Sequence, residues 1–334
     1  MFVDRRLGNT IRYYLDRPKD WNMRVPEDVR KSVVFCARAL QSGSQEKITF
    51  RGTGFLVSVP SDKLPGMKYR YMVTARHVAD PLRLGDWIIR LNTKCGRILD
   101  VRGTKDDRWW VHPSESERVD VAVIPWASPE SADYEVDATA VPLSLFLDDK
   151  AIVESNIGPG DEVFMTGLFN KMTQQSRNLP IVRTGNVSLI PSPGELVPGL
   201  VIGGRGVDSE AYLIEARSIG GISGSPAFVR ATGTMNVPSQ HKLTGEIRIM
   251  EWCFPGSFFL LGLVHGHWEI LAEDKNEPEP RYAKKGQEDS VNIGIAVVVP
   301  AKKIKEVLYH PELVEMRSQW DQQYIDAQGT TIPD

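Results

Sequence analysis

Three short stretches of this chain hold residue types that together can open an ester or amide bond. Val73-Thr74-Ala75-Arg76-His77 places a histidine just past the end of an apolar run. Val119-Asp120-Val121-Ala122-Val123-Ile124 places an aspartate at the start of another. Gly220-Gly221-Ile222-Ser223-Gly224-Ser225-Pro226 places a serine in a glycine-rich turn. A serine hydroxyl is a weak nucleophile at neutral pH and needs a base within hydrogen-bond reach. Histidine suits that role because it titrates near the working pH. A buried carboxylate then fixes the imidazole tautomer and stabilises the imidazolium formed during attack. The glycines let the backbone turn sharply, so that N–H groups converge beside the serine oxygen. Ser223, His77 and Asp120 are therefore the expected catalytic group, with the N–H groups of Gly221 and Ser223 as oxyanion donors. One such donor is typically worth about 3 kcal/mol in the transition state.

Such residues need rigid elements to carry them. Strand-like runs occur at 32–40, 54–59, 69–75, 86–92 and 119–126, each rich in β-branched or aromatic residues and bounded by turn formers. A second series follows at 161–167, 181–190, 211–216, 225–229, 247–252, 257–266 and 293–300. Between the two series, residues 127–158 are rich in Ser, Pro and Asp and read as a connection. Two clusters of short strands imply an all-β protein of two packed antiparallel β-barrels. The expected division is an extension over 1–28, a first barrel over 29–135, a linker over 136–158 and a second barrel over 159–300. A C-terminal helix over 301–316 follows, and then a loose polar tail over 317–334. In that helix Ile304, Val307 and Leu308 make one apolar stripe, and Lys302, Lys303 and Lys305 read as its solvated face. Segments 230–246 and 271–290 read as loops, and the cluster Gly203-Gly204-Arg205-Gly206 as a hairpin, not a phosphate loop.

Rival readings of the chemistry are weaker. His112 lacks the strand-then-turn setting of His77, and Asp106 and Asp107 lie in a charged turn. Ser225 belongs on the strand leaving the turn. Neither CxxC nor HExxH occurs, so no metal or cofactor is expected. The formal charge of −3 gives no electrostatic footprint for nucleic acid. No apolar run approaches the ~20 residues of a membrane-spanning helix, and no apolar stretch follows the charged start to make a secretory signal. Three cysteines, widely spaced, suit reduced thiols and a cytoplasmic setting.

The order His, Asp, Ser is that of the chymotrypsin-like double barrel. The chain resembles the trypsin-like serine peptidases of that fold, and within them the bacterial branch that includes the HtrA-type proteases. Arg51-Gly52-Thr53-Gly54-Phe55-Leu56 is similar to the Gly-Ser-Gly-Phe strand that precedes the histidine strand. Val182-Arg183-Thr184-Gly185-Asn186-Val187-Ser188 is similar to an Arg/Gly/Val/Ser strand of the second barrel. Asn292-Ile293-Gly294-Ile295-Ala296-Val297 with Pro300 resembles the final strand before the closing helix. The likeness spans residues 29–310, and too few residues follow for a PDZ-like domain.

The resemblance implies two six-stranded barrels with a C-terminal helix, and a serine endopeptidase acting on protein or peptide substrates. It places the substrate pocket at Arg217 and along the edge His265-Gly266-His267, and leaves His265 either in that pocket or on the aspartate. If Arg217 points to solvent, small or apolar substrate residues fit; if it points inward, acidic ones do. Ile222 stands where secreted members carry the aspartate that pairs with a freed N-terminus, so that activation route lacks its partner. A regulatory partner is compatible with this reading. The other reading that the residues permit is a silent binding or scaffold protein that keeps the fold; an esterase would use the same group.

Overall fold

The computed structural model describes residues 25–42, 45–127, 135–168, 177–216, 222–240, 247–271 and 290–329. A short helix α1 (Glu27–Lys31) leads into the first unit, which holds eight strands. These are β1 (Val33–Ser42), β2 (Gln45–Pro60), β3 (Lys68–Thr74), β4 (Trp87–Asn92), β5 (Ile98–Gly103), β6 (Trp110–Val111), β7 (Ala122–Pro125) and β8 (Val141–Pro142). Seven of them run in the order β5-β4-β1-β2-β3-β7-β6, and β8 pairs with β2 in parallel. Helix α2 (Arg76–Leu82) follows β3 after a single residue.

The second unit is a closed barrel. Its strands are β9 (Glu162–Gly167), β10 (Ile181–Leu189), β13 (Tyr212–Glu215), β14 (Pro226–Gln240), β15 (Ile247–Leu271) and β16 (Ser290–Pro300). They close in the order β10-β13-β16-β15-β14-β9. A separate hairpin joins β11 (Val197–Ile202) to β12 (Arg205–Ser209). Its two-residue turn is Gly203-Gly204, both at positive φ (60° and 80°), the backbone that tight hairpins require.

The two-unit, all-β architecture is the expected one, with differences of detail. Six strands close the second barrel. The first unit is a seven-strand path whose end strands β5 and β6 do not pair with each other among the described residues. Residues 230–240, expected to loop, continue β14, and 247–252 and 257–266 belong to the one strand β15. The prolines and glycines there sit at or between paired positions of a long hairpin with irregular register. Most of 271–290 lies outside the described residues.

One apolar core spans both units. It runs from Phe55, Tyr71 and Val73 to Phe164, Phe228, Leu260 and Leu263 of the barrel. Phe164 and Phe228 stack at 5.3 Å, and Phe258 meets both edge-on. Each such ring taken from water is worth about 1.5–3 kcal/mol. The barrel encloses a second core around Met165, Ile214, Leu261 and Val298. The connection between the units is ordered over 141–154. Leu143–Leu145 form a 3-10 turn, and helix α3 (Asp149–Glu154) is capped by Asp148, whose carboxylate accepts the Ala151 N–H.

The chain ends in two helices, α4 (Ala301–Leu308) and α5 (Pro311–Gly329). Ile304, Val307 and Leu308 are fully buried, as their spacing predicts. Lys303 corrects the solvated-face reading. It is buried, and its ammonium meets Glu115, Glu306 and Glu210 at 2.6, 3.3 and 3.4 Å. The loose tail expected after 316 is instead helical through Gly329. Its anchors are polar: Arg317 donates to Tyr71 Oη and the Leu308 carbonyl, both at 2.9 Å. Asp321 accepts from Ser61 at 2.8 Å and from Tyr69. No described helix is long and apolar enough to cross a membrane.

Candidate active site

His77 is the second residue of α2, so the chain turns at Ala75 directly from β3 into the helix that carries it. Asp120 lies two residues before β7, which pairs with β3. The strand pairing therefore brings two residues distant in sequence side by side. Asp120 is fully buried between Val119 and Val121. Its Oδ1 accepts the backbone N–H of His77 at 2.9 Å, and its Oδ2 lies 2.7 Å from His77 Nδ1. A third group completes the carboxylate: His265 Nδ1, on β15, lies 2.5 Å from the same Oδ2. Burial pushes the Asp120 carboxyl up, but the rings of His77 and His265 more than offset this and hold it well below the ordinary carboxylate range.

Ser223 is half-buried in a turn closed by the Ser225 N–H on the Ile222 carbonyl at 2.9 Å. Two backbone contacts fix that turn, one from the first unit and one from within the second. The Thr53 N–H of β2 donates to the Ser223 carbonyl at 2.9 Å, and the Gly224 N–H donates to the Val264 carbonyl, next to His265, at 2.8 Å. Gly224 has φ +84°, and a Cβ there would lie 2.0 Å from the Thr53 carbonyl oxygen. Gly52 stands between the two halves of the site. A Cβ on it would come within 2.7 Å of Val78, the neighbour of His77, and 2.9 Å of the Ser223 carbonyl oxygen. The turn of Ser223 and the helix of His77 thus meet across one glycine. Among the described residues the Ser223 hydroxyl makes no hydrogen bond, so the bond between serine and base is not formed in this structure. Such bonds often tighten only when substrate binds.

Asp120 thus touches His77, and the Ser223 turn approaches the helix of His77 across Gly52. Gly221 and Arg217 lie outside the described residues. His265 sits on the aspartate, one of the two positions left open for it, and Gly266 borders open space. His112 is buried, donating from Nε2 to Glu306 at 2.5 Å while Nδ1 accepts the Glu115 N–H at 3.0 Å. It is committed to tying the 112–115 turn to α4. Ser225 is fully buried one residue before β14. The tie through Thr53 and Gly52 was not read from sequence, although Arg51-Gly52-Thr53-Gly54, a small-residue break in an apolar strand, marks a close backbone approach.

Two clusters offer nitrogen and oxygen ligands, His77/Asp120/His265 and His112/Glu115/Glu306. In the first, the Asp120 carboxylate already takes both Nδ1 atoms as hydrogen-bond partners, at 2.5 and 2.7 Å. In the second, the Lys303 ammonium already supplies the cation. The chemistry this arrangement can support is proton transfer beside a hydroxyl nucleophile. Cys36 is core, its thiol pushed up to about 12 by burial, and takes no part.

No family model matches the chain, and no curated protein matches it. Among solved structures it is similar to the Rv3671c protease of M. tuberculosis in its active form, at 17% identity, with 85% of this chain and 82% of that chain covered and a TM-score of 0.39. The inactive form of the same protease gives 17% identity, 84% and 89% coverage and a TM-score of 0.37. An inactive serine-to-alanine mutant of it gives 17%, 87% and 93%, and 0.40.

Proposed function

We propose that the protein is a serine endopeptidase working through an acyl-enzyme. The observation that carries this reading is the fully buried Asp120 carboxylate holding His77 by both its backbone N–H and Nδ1, with the Ser223 turn bonded to β2 of the first unit. A carboxylate oxygen can only accept, so His77 Nδ1 carries the proton and Nε2 is left as the base. Ser223 Oγ attacks the scissile carbonyl as Nε2 takes its proton. The C–N bond then breaks as the imidazolium returns that proton to the leaving amine. Water repeats the sequence on the ester and frees Ser223. Asp120 stays ionised throughout, and the N–H groups of Gly221 and Ser223 hold the oxyanion.

The substrate side chain enters beside the 265–267 strand edge, where Gly266 leaves open space, and the preference we propose is for small or apolar residues. The free thiols of Cys36 and Cys95 accord with an intracellular setting. A peptide-library digest tests the assignment. The wild-type protein should cut a defined subset of peptides, and Ser223→Ala should cut none while keeping its fold. A well-folded Ser223→Ala protein that still cuts would overturn it, and a folded wild type that cuts nothing would favour a scaffold role.

A further inference from the structure

The catalytic reading uses one histidine on Asp120, yet the structure places two. Oδ2 lies 2.7 Å from His77 Nδ1 and 2.5 Å from His265 Nδ1, while Oδ1 takes the His77 backbone N–H. The carboxylate is fully buried, and the two rings meet edge-on with centroids 5.4 Å apart. We propose that His265 is a positioning residue that shares the Asp120 carboxylate with His77 and thereby lowers the proton affinity of His77. The proposal rests on the serine-peptidase reading for its effect on rate, but not for its effect on titration.

The physical argument begins with acceptor capacity. An ionised carboxylate only accepts, so both rings present Nδ1–H to it and keep Nε2 as their acceptor. His265 Nδ1–H draws negative charge toward itself and leaves less to stabilise a proton on His77 Nε2. If His265 itself takes a proton, two like charges stand at one carboxylate, and the proton affinity of His77 falls further. Both routes act in the same direction. The rings then titrate as a coupled pair and not as independent sites. His265 also buttresses the carboxylate from the second unit, so the orientation of His77 depends on β15 as well as on β7.

Other ionisable groups on the surrounding elements are few. Helix α2 carries Arg76, which pairs with Asp80 and Glu117 at 3.6 and 3.8 Å, and Asp80 also meets Arg83. The segment before Asp120 carries Glu115, held by Lys303 of α4, and Arg118. Beside His265, strand β15 adds His267. The described parts of β7 and β16 packed nearby, such as Val123 and Val298, are apolar.

Two variants separate donor from charge. His265→Phe keeps a ring but removes the donor. His265→Asn keeps an N–H donor near the Nδ1 position and cannot titrate. Imidazole NMR titration of the resting protein reads His77 without any turnover, and the acid limb of kcat/KM reads it in catalysis. In wild type, His77 should titrate as one partner of a coupled pair; in His265→Asn it should follow a simple single-site curve. In His265→Phe the midpoint of His77 should rise by about one pH unit, the acid limb should rise with it, and kcat should fall more than KM changes. His265→Asn should recover most of that kcat.

A simple single-site curve for His77 in the wild type, or an unmoved midpoint in folded His265→Phe, overturns the proposal. If Phe does not fold, the wild-type and Asn curves decide alone. Coupled titration in a protein that cleaves nothing supports the shared carboxylate and sinks the peptidase reading. Cleavage without coupling does the reverse.

Discussion

The backbone N–H of Thr53 donates to the carbonyl of Ser223 at 2.9 Å, which hydrogen-bonds the turn of the candidate nucleophile to a strand of the other unit. On the other side the Gly224 N–H reaches Val264, beside His265. The three functional side chains thus hang on a frame with backbone ties in both units. Their relative placement depends on the interface between the units as much as on either one.

That frame makes Gly224 the most sensitive small residue in the site. An alanine there would take a left-handed backbone, at about 1–2 kcal/mol, and would also overlap the Thr53 carbonyl. Gly224→Ala should lose at least about 2 kcal/mol in a denaturant titration. Gly266→Ala, with open space around its Cβ, should stay within about 0.5 kcal/mol. Equal losses for both would contradict the tie between turn and β2.

Acid stability should report Asp120. Its folded carboxyl is held below the unfolded value of about 3.9. The stability it contributes is complete above that value and is lost as pH falls toward the folded one. In that window the unfolded chain holds one more proton, so this group alone costs about 1.4 kcal/mol per pH unit. Urea titrations from about pH 5 to about pH 2 should show a shallower loss for Asp120→Asn than for wild type. Parallel curves would show that the carboxyl is unshifted.

Lys303 and Lys305 sit two residues apart on α4 but should behave differently. Lys303 is buried against three carboxylates that are themselves partly solvated. Lys303→Met should destabilise by about 1–3 kcal/mol, less than the loss of one partner from a fully buried pair. Lys305→Met should change stability by less than about 0.5 kcal/mol. Thermal unfolding of the two variants checks the difference.

Where chemistry and patterning coincide, the sequence was readable. The apolar strands around His77 and Asp120 and the glycines around Ser223 stand out because hydrophobic alternation and turn formers both mark them. Helix α5 was hidden for the opposite reason. Its inward positions include Leu313, Arg317 and Asp321, spaced four residues apart, but two of the three are charged. Their burial is satisfied by Tyr71, Ser61, Tyr69 and a backbone carbonyl, partners no local pattern reveals. The burial of Lys303 is hidden likewise, since a lysine on a helix is ordinarily solvated and its three carboxylates come from three different segments. From sequence His265 fits either the pocket or the aspartate, because only the register of β15 decides which group its ring meets.

The nucleophile itself is the most direct point of test. Intact-mass measurement of the folded protein after treatment with a fluorophosphonate should show a single adduct, mapped by peptide digestion to Ser223. The adduct should form much more slowly in Asp120→Asn and should be absent in His77→Ala. A folded wild-type protein that takes no adduct, or takes it on another residue, would contradict the assignment of Ser223, His77 and Asp120 as one catalytic group.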